Sequence, residues 1–267
     1  MGAGSGLETR RTSAADAGRR AVAIVTGAAQ GLGHETALRL AADGFAVAVN
    51  DIADDGRLSD LAREIGGLAV PADIAAPDAG TRITTAVLGV LGRIDVLVAN
   101  AAAMEMGPFL SQDPAVWWRQ IDVNLSGHFR LIQVVVPAMR AVGGGRIVLV
   151  ASEWGVSGHA NATAYAASKA GLIALAKGLG RELGPQGILT NAIAPSYIDT
   201  EQLRVDADDA GISLKEMRQR YRELVPIGRL ADVADIAGVV SFLAGPGGSA
   251  VIGQVLQPNG GVVRTRA

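Results

Sequence analysis

Cysteine is absent from the 267-residue chain. That excludes disulfides and thiolate metal sites, and it suits a cytoplasmic protein. Histidine is scarce. His34, His128 and His159 are scattered without ligand spacing, so no metal site is expected. Neither sign of charge is in excess: the formal net charge is −2, which leaves no basic footprint for nucleic acid. No apolar run reaches the length of a membrane span. Arg10 and Arg11 in "MGAGSGLETRRTSAADAGRR" are followed by "TSAADAG", not by the apolar stretch of an export signal, and residues 1–20 are expected to be a disordered leader.

What is present is enough apolar material for a large core, 49% of residues. From residue 21 onward, short apolar runs alternate with helical patterns. Runs at 21–26, 45–50, 68–73, 95–100, 146–152 and 188–195 read as strands, with a seventh inside 250–261. Helices are expected at 31–44, 61–66, 77–92, 113–141 and 162–183. The fourth has Asp113 as N-cap and Pro114 at its first position. Such alternation implies right-handed crossovers and a single-domain, Rossmann-like α/β fold: a doubly wound parallel sheet of about seven strands with helices on both faces, over 21–267. The polar stretch 199–225 follows the sixth strand. It is either a lid over a pocket at the strand ends or a solvated helical surface.

"TGAAQGLG" (26–33) lies between the first strand and the first helix, the context a dinucleotide site requires. Gly27, Gln30, Gly31, Leu32 and Gly33 are expected to face a pyrophosphate. Asp51, 18 residues after Gly33, can accept both ribose hydroxyls and repels a 2′-phosphate; with Ile52 it marks the adenosine end. No arginine or lysine occupies 45–56, so NAD(H) is expected over NADP(H). Asp73 and Ile74, after the third strand, are placed near adenine.

Tyr165 and Lys169 are two of only three tyrosines and three lysines, and they lie one helical turn apart. They are either an incidental surface pair or a phenol tuned by an ammonium. Together with the glycine turn, Asp73, "ANAAA" (99–103), "DVNLSG" (122–127), Ser152, "PSYIDT" (195–200) and "GQVLQPNGG" (253–261), this pair resembles the short-chain dehydrogenase/reductase family over residues 21 to 263. The resemblance implies catalytic roles for Asn124, Ser152, Tyr165 and Lys169. Asn124 would hold a relay water leading to Lys169, and Lys169 would also bind the nicotinamide ribose. Asn100, Ala101, Ala102, Pro195, Ile198 and Thr200 would lie along the nicotinamide half. The chain departs from the family at Ala102 and Ser196, where glycine is usual; either could tighten the pocket.

A free tyrosine titrates near 10. Lys169, with the positive ring of an oxidised nicotinamide, is expected to lower Tyr165 so that it can exchange the proton of an alcohol. Ser152 would hold the substrate oxygen. Met104, Glu105, Met106, Glu153, Trp154, His159 and Tyr197 are expected around a medium-sized, partly apolar alcohol or ketone, although Trp154 and the methionines also suit a core. "WW" (117–118) and "LIQVVV" (131–136) exceed one core-facing stripe. By resemblance these long helices pair subunits into a homotetramer, with a dimer as second choice. The expected activity is NAD(H)-dependent interconversion of a secondary alcohol, polyol or cyclic alcohol and its ketone. The rivals are an NADP(H)-dependent 3-oxoacyl-[acyl-carrier-protein] reductase and a non-catalytic dinucleotide-binding regulator.

Overall fold

Val22–Thr26 (β1), Ala46–Asn50 (β2), Val96–Ala99 (β4), Gly145–Val150 (β5) and Ile188–Ile193 (β6) are buried along almost their whole length. Strands covered on both faces read as such apolar runs. With Leu68–Ala69 (β3) and Val255–Leu256 (β7) they form one parallel sheet in the order β3-β2-β1-β4-β5-β6-β7. The computed structural model describes residues 20–263, the side chains of Gln202 and Asp209 excepted. The expected leader lies outside the described residues, save Arg20 at its boundary.

Side chains on one sheet face, such as Ile24, Leu97 and Ile147, pack with Ile83, Leu131 and Leu172. These belong to Ala79–Leu91 (α3), His128–Ala141 (α5) and Thr163–Leu183 (α7). On the opposite face Val25, Val98 and Val148 meet Leu40, Leu61 and Val240. These come from Gly31–Ala42 (α1), Arg57–Glu64 (α2) and Val233–Ala244 (α10). The doubly wound expectation is met. Each fully buried leucine or isoleucine contributes about 1.5–3 kcal/mol, so both faces are needed. The strand order reverses between β1 and β4, and a crevice opens beyond their carboxyl ends.

Several boundaries differ from expectation. β3 spans two residues rather than six, because Val70 and Ala72 continue only as isolated hydrogen bonds to Val49 and Asp51 carbonyls. α10 was not expected at all. The helix expected over 113–141 is Pro114–Ile121 (α4) and α5 joined by a wider π-turn, Asp122–Gly127. Asp113 caps α4 by accepting the Ala115 N–H at 2.8 Å. The stretch 199–225 forms Gln202–Asp209 (α8) and Leu214–Leu224 (α9), which follow β6 in the chain. The remaining helix, Trp154–Ser157 (α6), is a single turn after β5. Among the described residues no helix is long and apolar enough to cross a membrane, and no cluster of three or more His, Cys, Asp or Glu could hold a metal.

Candidate active site

The glycine turn is held from behind. Thr26 Oγ1 accepts the N–H groups of Asn100 (2.9 Å) and Ala101 (3.0 Å). Asn100 Nδ2 donates to the carbonyls of Thr26 and Gly27. Asn100 thus ties the loops after β1 and β4 together. A Cβ at Gly33 would lie 2.0 Å from the Gly27 carbonyl oxygen, an impossible contact, so the close helix-to-turn approach needs glycine there. A Cβ at Gly31 would meet nothing within 4 Å, and Gly31 has φ +58, so its backbone opens into the crevice. No side chain caps the start of α1. Its first N–H groups have no intrahelical partners and can receive a pyrophosphate.

A cavity of about 440 Å³ runs past this turn. It is lined by Gly27, Gln30–Gly33, Asn50–Ile52, Ala72–Ile74, Asn100–Ala103 and Thr200, among others. Asp51 accepts the Ala29 N–H at 2.9 Å and the Ile52 N–H at 2.8 Å, so its carboxylate is fixed at the rim. Ile52 presents an exposed apolar side chain beside it. Asn50 lines the same space with a buried Oδ1 that has no partner. An uncapped helix start, a glycine cradle and an unpaired acceptor beside a fixed carboxylate fit an adenine dinucleotide. Asp73 accepts the Ala75 N–H (3.0 Å) and an ion pair from Arg119 (2.8 Å). Burial raises its pKa, but those two partners outweigh burial and hold it below the usual carboxylate range. Arg119, and the Arg57 that donates to Gln30 Oε1 at 2.7 Å, were not expected.

A second cavity, of about 230 Å³, holds Ser152, Tyr165, Met104, Glu153, Trp154 and Tyr197. Thr200 lines both cavities, so the two meet there. Ile198 faces the second cavity, not the first. Pro195 does not line the dinucleotide cavity; its carbonyl accepts the Glu153 N–H at 2.9 Å. His159 lies outside, stacked on Trp154 with ring centroids 3.8 Å apart. With Met106 it lines an outer cavity of about 570 Å³ that shares Trp154, Tyr197, Asp206 and Tyr221 with the inner one. Leu203, Asp206 and Tyr221 bring α8 and α9 over the inner cavity. Tyr221 stacks on Tyr197 and donates to Asp206, while Arg218 ties α9 to Asp199. Ala102 and Ser196 both adopt ordinary backbone, since Asn161 is the one non-glycine at positive φ among the described residues. The glycine-to-larger departures therefore carry no backbone strain.

Lys169 is buried to 1% exposure and donates from Nζ to the Val150 carbonyl at 2.7 Å. The same Nζ is 5.4 Å from the Tyr165 ring centroid, within cation–π reach. Tyr165 is partly exposed where it lines the cavity, but the protein crowds its hydroxyl. Burial pushes that hydroxyl up to about 12, with Ser152 lowering it only in part. Burial pushes Lys169 down to about 7. Without a dinucleotide, desolvation disfavours both charged forms, so the ammonium alone does not lower Tyr165; the expected lowering also calls on the oxidised nicotinamide ring.

Asn124 accepts the Ala103 N–H (2.7 Å) and donates to the Ala103 carbonyl (2.9 Å) and to Ser168 Oγ (3.0 Å). Ser168 in turn donates to the Tyr165 carbonyl at 2.7 Å. The π-turn directs this asparagine out of its helix, so that it braces the nicotinamide-side loop against α7. His128 is fully buried, with Nε2 2.9 Å from the Ala101 carbonyl. A carbonyl only accepts, so Nε2 carries the proton. Burial lowers His128 to about 4.

A family model described as Enoyl-(Acyl carrier protein) reductase matches residues 27–263. A short-chain dehydrogenase/reductase of Hericium erinaceus is 38% identical over 251 residues, 91% of this chain and 97% of the relative. A 3-oxoacyl-[acyl-carrier-protein] reductase of Staphylococcus epidermidis is 34% identical over 245 residues, 90% and 98% of the two chains. Another, of Thermotoga maritima, is 36% identical over 247 residues, 91% and 97%. The span matched by the family model includes Ser152, Tyr165, Lys169 and β7. The chain belongs to the short-chain dehydrogenase/reductase family of oxidoreductases.

Proposed function

We propose that the protein is an NAD(H)-dependent oxidoreductase interconverting a small secondary alcohol, polyol or cyclic alcohol and its ketone. One observation carries this reading: Ser152 and Tyr165 share a cavity that joins the dinucleotide cleft at Thr200, with Lys169 buried beside the phenol. The dinucleotide supplies the hydride donor or acceptor. Ser152 Oγ holds the substrate oxygen, and Tyr165 exchanges its proton. In the free protein Tyr165 is protonated at neutral pH, ready to act as the acid in ketone reduction. Alcohol oxidation needs the phenolate, which positive charge in the filled cleft favours. Lys169, near 7, supplies such charge once a counter-charge or ribose hydroxyl engages its ammonium. Both Asn124 amide hydrogens are used, so a relay water can only donate to that residue. Its main role is to position the loop of Ala103.

Asp51 supports NAD(H), because a fixed carboxylate at the rim repels a 2′-phosphate. A second reading is an NADP(H)-dependent 3-oxoacyl-[acyl-carrier-protein] reductase, suggested by the relatives' names and by Arg57 beside Gln30. Arg57 is bonded to both oxygens of Asp55, which leaves it little to offer a phosphate. The complete catalytic set argues against a non-catalytic regulator. Trp118 and Phe129 are exposed on α4 and α5 and support an assembly of subunits, a homotetramer or a dimer, as the working form. The test is titration of NADH against NADPH, with a screen of alcohols and ketones followed at the NADH absorbance. NADH should bind about ten-fold tighter. Tighter NADPH binding overturns the cofactor assignment, and no turnover across the screen overturns the activity.

A further inference from the structure

Glu153 directly follows Ser152, and its main chain is locked in place. Its N–H donates to the Pro195 carbonyl, and its own carbonyl accepts from Val156, Ser157 N–H and Ser157 Oγ. Its side chain is 3% exposed and lines the cavity that holds Ser152 and Tyr165. Within that cavity Oε2 is buried with no hydrogen-bond partner, and so is the neighbouring Ser196 Oγ. The walls around them include Met104, Trp154, Ile198 and Leu203. No arginine or lysine pairs with Glu153 among the described salt bridges. Burial raises its carboxyl above the usual range, and the nearby Ser196 hydroxyl offsets this in part. A buried carboxyl beside a reacting serine, with no cationic partner and only a nearby hydroxyl to offset its burial, is costly to keep and would serve no packing purpose that a methionine could not serve better.

We propose that Glu153, with Ser196, is a specificity-determining pair that hydrogen-bonds a second, uncharged oxygen of the substrate, so that the enzyme selects compact hydroxyketones and diols over plain ketones and over carboxylate-bearing ones. Glu153 accepts from a substrate hydroxyl, and the Ser196 hydroxyl donates or accepts, so together they suit a hydroxyl or carbonyl oxygen. An anionic group would face the carboxyl and the Asp206 carboxylate on the roof of the same cavity. The inner cavity, about 230 Å³, has room for a small ring at the reacting end, next to Ser152 and Tyr165.

This inference deepens the alcohol–ketone reading and rests on it. The test compares kcat/KM, at fixed NADH, for cyclohexanone, its 2-, 3- and 4-hydroxy derivatives and 4-oxocyclohexanecarboxylate. The native enzyme should prefer at least one hydroxy isomer over cyclohexanone by about ten-fold to a hundred-fold, with the carboxylate poorest. In Glu153→Met that ratio should fall toward one, while Glu153→Gln, which still accepts, should keep most of it. Equal use of hydroxy and parent ketones, preference for the carboxylate, or an unchanged ratio in Glu153→Met overturns the specificity role and leaves the activity standing. If no ketone of the series is turned over, the activity itself fails and this inference fails with it.

Discussion

At the adenosine end of the cleft, both carboxylates are already engaged, Asp51 by two N–H groups and Asp73 by the Ala75 N–H and Arg119. At the substrate end, Glu153 Oε2 and Ser196 Oγ are buried without partners, and burial makes Tyr165 hold its proton. One end is built before the ligand arrives; the other keeps unspent polar groups. A constant ligand can be met by a finished surface, which costs little reorganisation on binding. A reacting group must instead remain able to change protonation. The cleft is therefore stiff where it recognises the coenzyme and unsatisfied where it does chemistry, and that contrast makes specific experiments decisive.

The largest expected effect concerns the junction between the two ends, where His128 holds the Ala101 carbonyl. Its folded pKa, about 4, lies below the ordinary 6.5, so the unfolded chain binds more protons between these values. Its contribution is fully present above pH 6.5 and is lost as pH falls toward 4, by about 3 kcal/mol in all. Urea unfolding across that window should show the loss, and His128→Gln should remove it from the difference curve. Lys169, near 7, adds no slope there, because below 7 it is charged in both states. An identical acid profile in the variant would break the account of this junction.

At the finished end, Gly33→Ala forces a methyl onto the Gly27 carbonyl and should weaken NADH binding by about 100-fold in a fluorescence titration. Binding within a few-fold of native would mean that the turn is not stiff. Asp51→Ala should have a smaller effect, lowering the NADH-over-NADPH preference by about ten-fold. Titration at 295 nm sharpens the other end. Tyr165, Tyr197 and Tyr221 are all raised, chiefly by burial, so at pH 10 the free protein should show less phenolate signal than three free tyrosines would. A full tyrosine step below that pH would contradict the desolvated pocket.

Much of this was legible in the sequence for a physical reason. Buried parallel strands leave continuous apolar runs, and the glycine turn and the Tyr165–Lys169 spacing are local patterns. The α4 cap was readable because Asp113 and Pro114 are adjacent. What was not readable depends on residues brought together from far apart. Thr26 with Asn100, Gln30 with Arg57, and Asp73 with Arg119 are partnerships made by the fold. The desolvation of Tyr165 also escaped, because four-residue spacing shows the neighbouring ammonium but not the burial that opposes it. The π-turn at Asp122–Gly127 is invisible to helical periodicity, yet it aims Asn124. α10 was missed although Asp232 and Asp235 form its capping box, a local signal that was there to be used.

The central claim is that the Tyr165 hydroxyl exchanges the substrate proton beside a bound dinucleotide. The direct measurement is kcat for NADH-linked reduction of the best ketone by Tyr165→Phe, with the NADH dissociation constant of the same preparation. The account predicts a fall in kcat of about 10²–10⁴-fold with NADH affinity kept within a few-fold. Turnover close to native in a variant that still binds NADH would contradict it.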